Sequence, residues 1–291
     1  MSRTIAVVGA NGQVGSDIVK AGRRAGFSIV EWTHRDLEIR HGESVRKAIA
    51  SLAPDDVVVN TAAFHRTDEC EAQPQRALEV NVSGAYHVAA AAAQAGAHAV
   101  QISSDYVFDG MQSVPYVETD APHPLNVYGA SKAAAEMLVA AANPQHYIVR
   151  ISSVFGTAGS SGKGGNFVET MVAKARGGQA PEVVDDLVMA PTFAHDAASL
   201  LIDLLRLRAA FGVYHLANSG QCSWFEFACA IFEMTGSALR PRPIHSSAHP
   251  AGARRPPYSV LASTKLHDIG LQPRPWTEAL KTYLQEKGYT R

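Results

Sequence analysis

At 291 residues the chain is long enough to bury a core without disulfide or metal staples, as one large domain or two modest ones. A hydrophobic fraction of 46% beside 18% charged residues is ordinary for a soluble globular protein, and 26 basic against 27 acidic side chains cancel to a formal charge of −1. That balance supplies no field to draw the chain to nucleic acid or to a membrane surface.

The first predicted element is a strand. Thr4 to Gly9 is a short apolar, β-branched run with no basic stretch or cleavage site before it, so the N-terminus reads as structure rather than as a leader. A glycine-rich turn follows, then a helical pattern from Gln13 to Arg24, which is how a βαβ unit begins. Strand-like runs recur at Ser28 to Trp32, Asp56 to Asn60, His98 to Ser103 and His146 to Ile151. Helical stretches at Glu43 to Leu52, Gln73 to Ala95 and Val127 to Ala142 separate them. Such alternation predicts the α/β class, with a Rossmann-like doubly wound parallel sheet. The longest uncharged stretch, Asn81 to Ser104, carries Gly84, His87, Gln94, Gly96, His98 and Gln101 and is a poor candidate for spanning a bilayer.

After Arg150 the regularity breaks at the glycine and serine loop Thr157 to Gly165. Helices at Asn166 to Arg176, Ala194 to Leu207 and Ser223 to Met234 follow, with a strand at Val213 to Leu216. The proline-dense stretch Pro241 to Pro257 leads to a last helix near Thr277 to Lys287. This organisation predicts a dinucleotide-binding domain of residues 1–152 and 192–217 and a smaller, mainly C-terminal α/β substrate-binding domain of residues 153–191 and 218–291. Cys70, Cys222 and Cys229 are odd in number and lack C-x-x-C spacing, so neither a disulfide framework nor a zinc site is predicted, and a reducing, cytoplasmic compartment is expected. The histidines are scattered along the chain, and no metal is expected.

Gly9-Ala10-Asn11-Gly12-Gln13-Val14-Gly15 has the spacing G-x-x-G-x-x-G between the first strand and the first helix. There glycines let the backbone approach a pyrophosphate while the helix N-terminus attracts its charge. The triplet alone also describes an ordinary tight turn; its place between strand and helix is the context the motif requires. Gly9, Asn11, Gly12, Gln13, Val14 and Gly15 are therefore candidate cofactor residues. Cofactor choice depends on the end of the second strand, Glu31 to Asp36, reading E-W-T-H-R-D. If Trp32 ends the strand, Thr33, His34 and Arg35 face the ribose and favour NADPH. A shift of one or two residues brings Glu31 or Asp36 there instead and keeps NADH open.

Tyr128-Gly129-Ala130-Ser131-Lys132 gives Y-x-x-x-K, a spacing that puts both side chains on one face of a helix. A free tyrosine with a pKa of about 10 is a poor acid near neutrality, and a nearby ammonium is expected to lower that value by stabilising phenolate. Tyr128 is then a proton donor to a carbonyl oxygen, and Lys132 also reaches the cofactor's ribose hydroxyls. The pair alone equally describes a solvated helix face. Ser104 changes that balance: it lies 24 residues before Tyr128 (128 − 104), where a strand ends, and offers a hydroxyl to the same carbonyl oxygen.

The chain resembles the extended short-chain dehydrogenases and, within them, the dTDP-4-dehydrorhamnose reductase family. Matching segments are G-A-N-G-Q-V-G from Gly9, V-V-N-T-A-A from Val58, T-D-E-C-E-A-Q-P from Thr67, V-N at Val80, S-S-D-Y-V-F-D-G from Ser103, P-L-N-V-Y-G-A-S-K from Pro124, G-G-N-F-V-E-T-M from Gly164, A-P-T from Ala190 and A-R-R-P from Ala253. The resemblance implies a triad of Ser104, Tyr128 and Lys132, with serine where the family usually has threonine. It further implies that Ala62 and Ala63 line the cofactor, that Asp105 and Tyr106 face the sugar, and that Arg254 and Arg255 lie near the substrate's diphosphate. Ser153 and Asn166 complete the expected substrate side.

Two departures fall on that side. Ser153 stands where the family usually has a tryptophan that packs on the sugar, and Leu187 and Met189 replace a usual glutamine and glycine. The reaction expected from the resemblance is NAD(P)H-dependent reduction of the C4 ketone of a nucleotide-linked deoxysugar, first of all dTDP-4-dehydrorhamnose to dTDP-rhamnose. A different 4-keto sugar nucleotide, or a nucleotide-binding regulatory subunit of the same fold, is the alternative. Some relatives dimerise, which leaves a homodimer open.

Overall fold

The computed structural model describes residues 3–158, 165–248 and 252–290. β1 (Thr4–Val8) leads through α1 (Gln13–Arg24), β2 (Ser28–Trp32) and α2 (Gly42–Ile49) to β3 (Val57–Asn60). Next come α3 (Thr67–Ala72), α4 (Pro74–Leu78), α5 (Gly84–Ala95), β4 (His98–Ser104), α6 (Val127–Ala142) and β5 (His146–Ile151). The single helix expected over Gln73 to Ala95 is divided. Gln73 leaves helical geometry at φ −133°, and Pro74 opens α4 at the position where a missing N–H costs nothing. A π-helical turn at Glu79–Ser83 then precedes α5.

The rest of the chain adds β6 (Val154–Phe155), α7 (Phe167–Arg176), β7 (Glu182–Val184), β8 (Val188–Met189), β9 (Thr192–Phe193), α8 (Ala194–Arg206) and β10 (Gly212–His215). β11 (Cys222–Ser223), α9 (Trp224–Met234), β12 (Arg242–Ile244), α10 (Thr264–Asp268) and α11 (Trp276–Glu286) complete it. The loop expected at Thr157 to Gly165 falls largely outside the described residues.

Six strands make one parallel sheet in the order β2-β1-β3-β4-β5-β10. Both faces are covered, which is why the central strands β1 and β3 read as near-continuous apolar runs. Ile5, Val7, Val57 and Val59 point to the core shared with α1 and α8. Their alternates Ala6, Val8 and Val58 point to the opposite core, with α2, α5 and α6. The strand order turns around between β1 and β3, and at such a switch point the carboxyl ends of the strands leave a crevice. β10 closes the far edge by pairing with β5, so the late part of the chain supplies the sheet's last strand.

A separate aromatic core holds the two-stranded sheets β6-β9, β7-β12 and β8-β11 and helices α7, α9 and α11. Phe155 and Phe193 stack at 5.4 Å, and Tyr283 of α11 meets both rings edge-on. α9 begins with a reciprocal cap in which Ser223 Oγ accepts from Glu226 N and Ser223 N donates to the Glu226 carboxylate. Among the described residues no helix is long and apolar enough to cross a membrane.

Candidate active site

The glycine turn is a backbone device. Gly9 sits at φ +79°, in the left-handed region, and its N–H and that of Ala10 both donate to Trp32 O at 2.8 and 3.2 Å. A Cβ on Gly9 would lie 2.6 Å from Thr61 Oγ1, which itself donates to Val8 O and Gly9 O. Gly12 precedes α1 without any side-chain cap, and no acidic residue occupies the helix's first turn. Those open N–H groups, beside a surface with no room for a Cβ, fit the pyrophosphate of a dinucleotide. Gly9, Asn11, Gly12, Gln13 and Val14 line the cleft; Gly15 does not. Its Cβ would fall 2.2 Å from Gly9 O, so Gly15 serves the packing of α1 against the turn rather than the ligand surface.

At the end of β2 the expected residues are partly replaced. Thr33 N and Oγ1 both donate to Asp36 Oδ2, at 2.8 and 2.6 Å, which spends Thr33 and Asp36 on closing a turn. Glu31 pairs with Arg23. Arg35 is exposed and, like Thr33, does not line the cleft, whereas His34 does. Further along the chain from β2, Arg40 lines the cleft, donating to Glu38 at 3.0 Å. Ala62 and Ala63, just past β3, line the cleft as expected.

β4 ends on Ser104, and α6 carries Tyr128 and Lys132 to the same wall. Asn126 caps α6, its Oδ1 accepting from Gly129 N at 2.7 Å, a contact worth about 1 kcal/mol to the helix. Gly129 has no room for a side chain, since a Cβ would lie 2.0 Å from Tyr106 O. That absence lets α6 press against the turn after β4. The Tyr128 ring is edge-on to Tyr106 at 6.0 Å. The sequence expectation of an acidified phenol fails: burial pushes Tyr128 up, Asp105, Cys70 and Tyr106 add to the rise, and only a hydrogen bond with Ser104 opposes it. The Lys132 ammonium is turned to the Ile102 carbonyl at 2.6 Å instead of the phenol, and burial pulls it down to about 8, against Glu136.

Asp105 is buried, with Ser104 Oγ donating to Oδ1 at 2.9 Å and Ser152 and Ser259 Oγ donating to Oδ2 at 2.9 and 2.6 Å. Burial raises its pKa against those three hydroxyls. Tyr106 lines the cleft, its phenol pushed by burial to about 12. Ser153 lines it too, at φ +42°. Asn166 reaches the cleft but is committed elsewhere, its Oδ1 capping α7 at Glu169 N and its Nδ2 donating to Gly156 O. Arg255 lines the cleft and pairs with Asp68 at 3.5 Å. Arg254 is exposed and absent from the lining; its backbone oxygen accepts from Asn126 Nδ2, which fixes the segment but leaves the guanidinium outside.

Phe167 and Trp224 also line the cleft, rings 4.7 Å apart and steeply inclined. Neither was marked by the sequence, because each reads as one apolar residue of an amphipathic helix. The lining residues named above share a single cleft of about 650 Å³, large for one small ligand and suited to two elongated ones side by side.

A doubly wound parallel sheet with an uncapped glycine turn and a hydroxyl-rich cleft at its strand ends defines a nucleotide-binding α/β protein. Residues 3–288 match the family model described as RmlD substrate binding domain, and the chain belongs to that family. It is 38% identical to the spore coat polysaccharide biosynthesis protein SpsK of Bacillus subtilis over 97% of each chain. A dTDP-4-dehydrorhamnose reductase structure from Clostridium acetobutylicum superposes with a TM-score of 0.92 at 36% identity, covering 98% of this chain and 99% of that one. Another from Bacillus anthracis, in complex with NADP, gives 0.92 at 32% identity, covering 98% and 100%.

Proposed function

We propose that this chain is an NADPH-dependent reductase of the extended short-chain dehydrogenase type, acting on the C4 ketone of a nucleotide-linked deoxysugar, with dTDP-4-dehydrorhamnose as first substrate and dTDP-rhamnose as product. The observation that carries this reading is the meeting of Ser104, Tyr128 and Lys132 on one wall of a cleft whose other end is the uncapped glycine turn. When bound, the nicotinamide cofactor supplies the hydride. Ser104 and Tyr128 hold the ketone oxygen, and Tyr128 gives it the phenolic proton. A phenol kept protonated by burial suits that step, because an alkoxide forming at C4 is a stronger base than a phenolate. Lys132 holds ribose hydroxyls at the cleft floor, and Ala62 and Ala63 leave room for the dinucleotide. Family membership with reductase relatives supports the substrate class. Residues 1–152 and 192–217 bind the dinucleotide and 153–191 and 218–291 the sugar nucleotide, in a cytoplasmic protein whose homodimeric state sedimentation would measure.

Screening dTDP-, GDP-, UDP- and CDP-linked 4-keto sugars for NADPH oxidation tests reaction and substrate together. Turnover with none of them overturns the reading.

Two expectations concern the ends of the cleft. Arg40→Gln lowers NADPH affinity about tenfold or more by removing a charge-assisted contact to the 2′-phosphate, and Arg35→Gln leaves it unchanged, as nucleotide fluorescence titration will read. With serine at 153, the apolar wall for the sugar nucleotide is Phe167 and Trp224. Trp224→Ala accordingly raises the KM for the sugar nucleotide about tenfold without changing NADPH affinity.

A further inference from the structure

Three residues of α6 one turn apart, Tyr128, Lys132 and Glu136, meet three consecutive residues at the end of β4. Ser104 lines the same cleft as Tyr128 and opposes the rise that burial gives its phenol. Ile102 O accepts from Lys132 Nζ at 2.6 Å, and Ser103 Oγ donates to Glu136 Oε1 at 2.5 Å. From β5, Arg150 grips both oxygens of Glu136, Nε on Oε1 at 3.0 Å and Nη2 on Oε2 at 2.7 Å. Lys132, Glu136 and Arg150 are 2%, 6% and 2% exposed, so no bulk water screens them.

We propose that Glu136, clamped to β4 by Ser103 and to β5 by Arg150, is a positioning residue for Lys132, fixing the register of α6 on β4 and balancing the ammonium's charge at the cleft floor. A buried ion pair contributes little to stability compared with a well-packed apolar replacement, so the Glu136 and Arg150 pair calls for a role besides folding. Its place supplies one. Glu136 is one helical turn from Lys132, and of the groups around that amine it is the one that opposes the effect of burial. The other ionisable groups lining the same cleft are Tyr128 on α6, Asp105 and Tyr106 after β4, Arg76 on α4, Arg255, His34, Glu38, Arg40 and His65. Cys70 of α3 acts on Tyr128, and Arg150 on β5 stands behind Glu136, with His215 of β10 on its far side at 3.4 Å. Neutralising Glu136 leaves the Arg150 cation unbalanced as well, so both changes push Lys132 the same way, towards losing its proton.

This deepens the proposed role of Lys132, and its test is read without substrate or cofactor, so that it fails separately from the proposed reaction. In lysine-labelled protein, heteronuclear NMR follows the Lys132 amine through a pH titration, its signal assigned by the Lys132→Arg variant. The wild-type midpoint is expected near pH 8, and the Glu136→Gln midpoint about one unit or more lower. NADPH affinity then falls off at correspondingly lower pH. The double variant Glu136→Gln with Arg150→Met removes the orphaned guanidinium, which protects the fold, and its midpoint is also expected below the wild-type value. An unchanged midpoint in both variants overturns the proposal, as does a loss of thermal stability without a shift. Failure of both variants to fold overturns it too, by making the pair a requirement of folding.

Discussion

Tyr128→Phe lowers ketone-dependent NADPH oxidation by about 10²- to 10⁴-fold, the range a positioned proton donor contributes. The same change leaves stability within about 1 kcal/mol, because the ring keeps its contact with Tyr106 and only one hydroxyl is lost. Ser104 remains in place, donating to Asp105 and accepting from Tyr106 N at 3.2 Å, and polarises the ketone oxygen by turning its one proton from Asp105 to it. What disappears is the proton. Steady-state rates with the panel of 4-keto sugar nucleotides, beside thermal melts and NADPH titration, separate chemistry from folding and cofactor binding. Unchanged oxidation rates across the panel would sink the mechanism. NADPH binding without turnover, in wild type as well as variant, would favour a regulatory nucleotide-binding role.

Gly129→Ala is expected to cost both stability and turnover, against the sign that helix propensity gives. In an open helix, glycine to alanine gains about 1 kcal/mol. Here the new Cβ lies 2.0 Å from Tyr106 O and 3.0 Å from Tyr106 C, backbone atoms that no rotamer change can move aside. α6 and the turn after β4 must separate by more than an ångström. Overpacking of that kind costs about 1–3 kcal/mol, which cancels or exceeds the propensity gain. Because Tyr128 is the neighbouring residue, the same displacement moves the proton donor from its partner Ser104, and a misplacement of about 1 Å costs about 10²-fold in rate. Urea melts and kcat on one preparation check both arms. A variant as stable and active as wild type would mean that helix and turn do not approach so closely.

Much of this was legible in the chain because it is local. The glycine turn, the bounds of α1 and α6 and the end of β4 follow from periodicity, glycine placement and strand length within a few residues. The pairing of Tyr128 with Lys132 is likewise a helical spacing. The break of the long helix at Gln73 to Ala95 was less legible: the proline signal at Pro74 was present, but the π-turn after it has no compositional mark. Arg40 was not marked by the sequence, and the two bonds that Thr33 donates to Asp36, which occupy both residues in a turn, were not legible in it.

By itself the sequence determined the parallel α/β class and the nucleotide turn and singled out the residues proposed to do the chemistry, since each depends on short-range pattern and on functional groups that only certain side chains possess. The tertiary structure decided their state. Asp105 receives Ser259 from 154 residues away, Glu136 meets Arg150 from the neighbouring strand, and Phe167 and Trp224 make a wall from two different helices. Whether Tyr128 is more or less acidic than a free phenol, and which guanidinium reaches the cleft, depend on burial and on partners brought in by folding. Those are sums over neighbours in space, and spacing along the chain does not encode them.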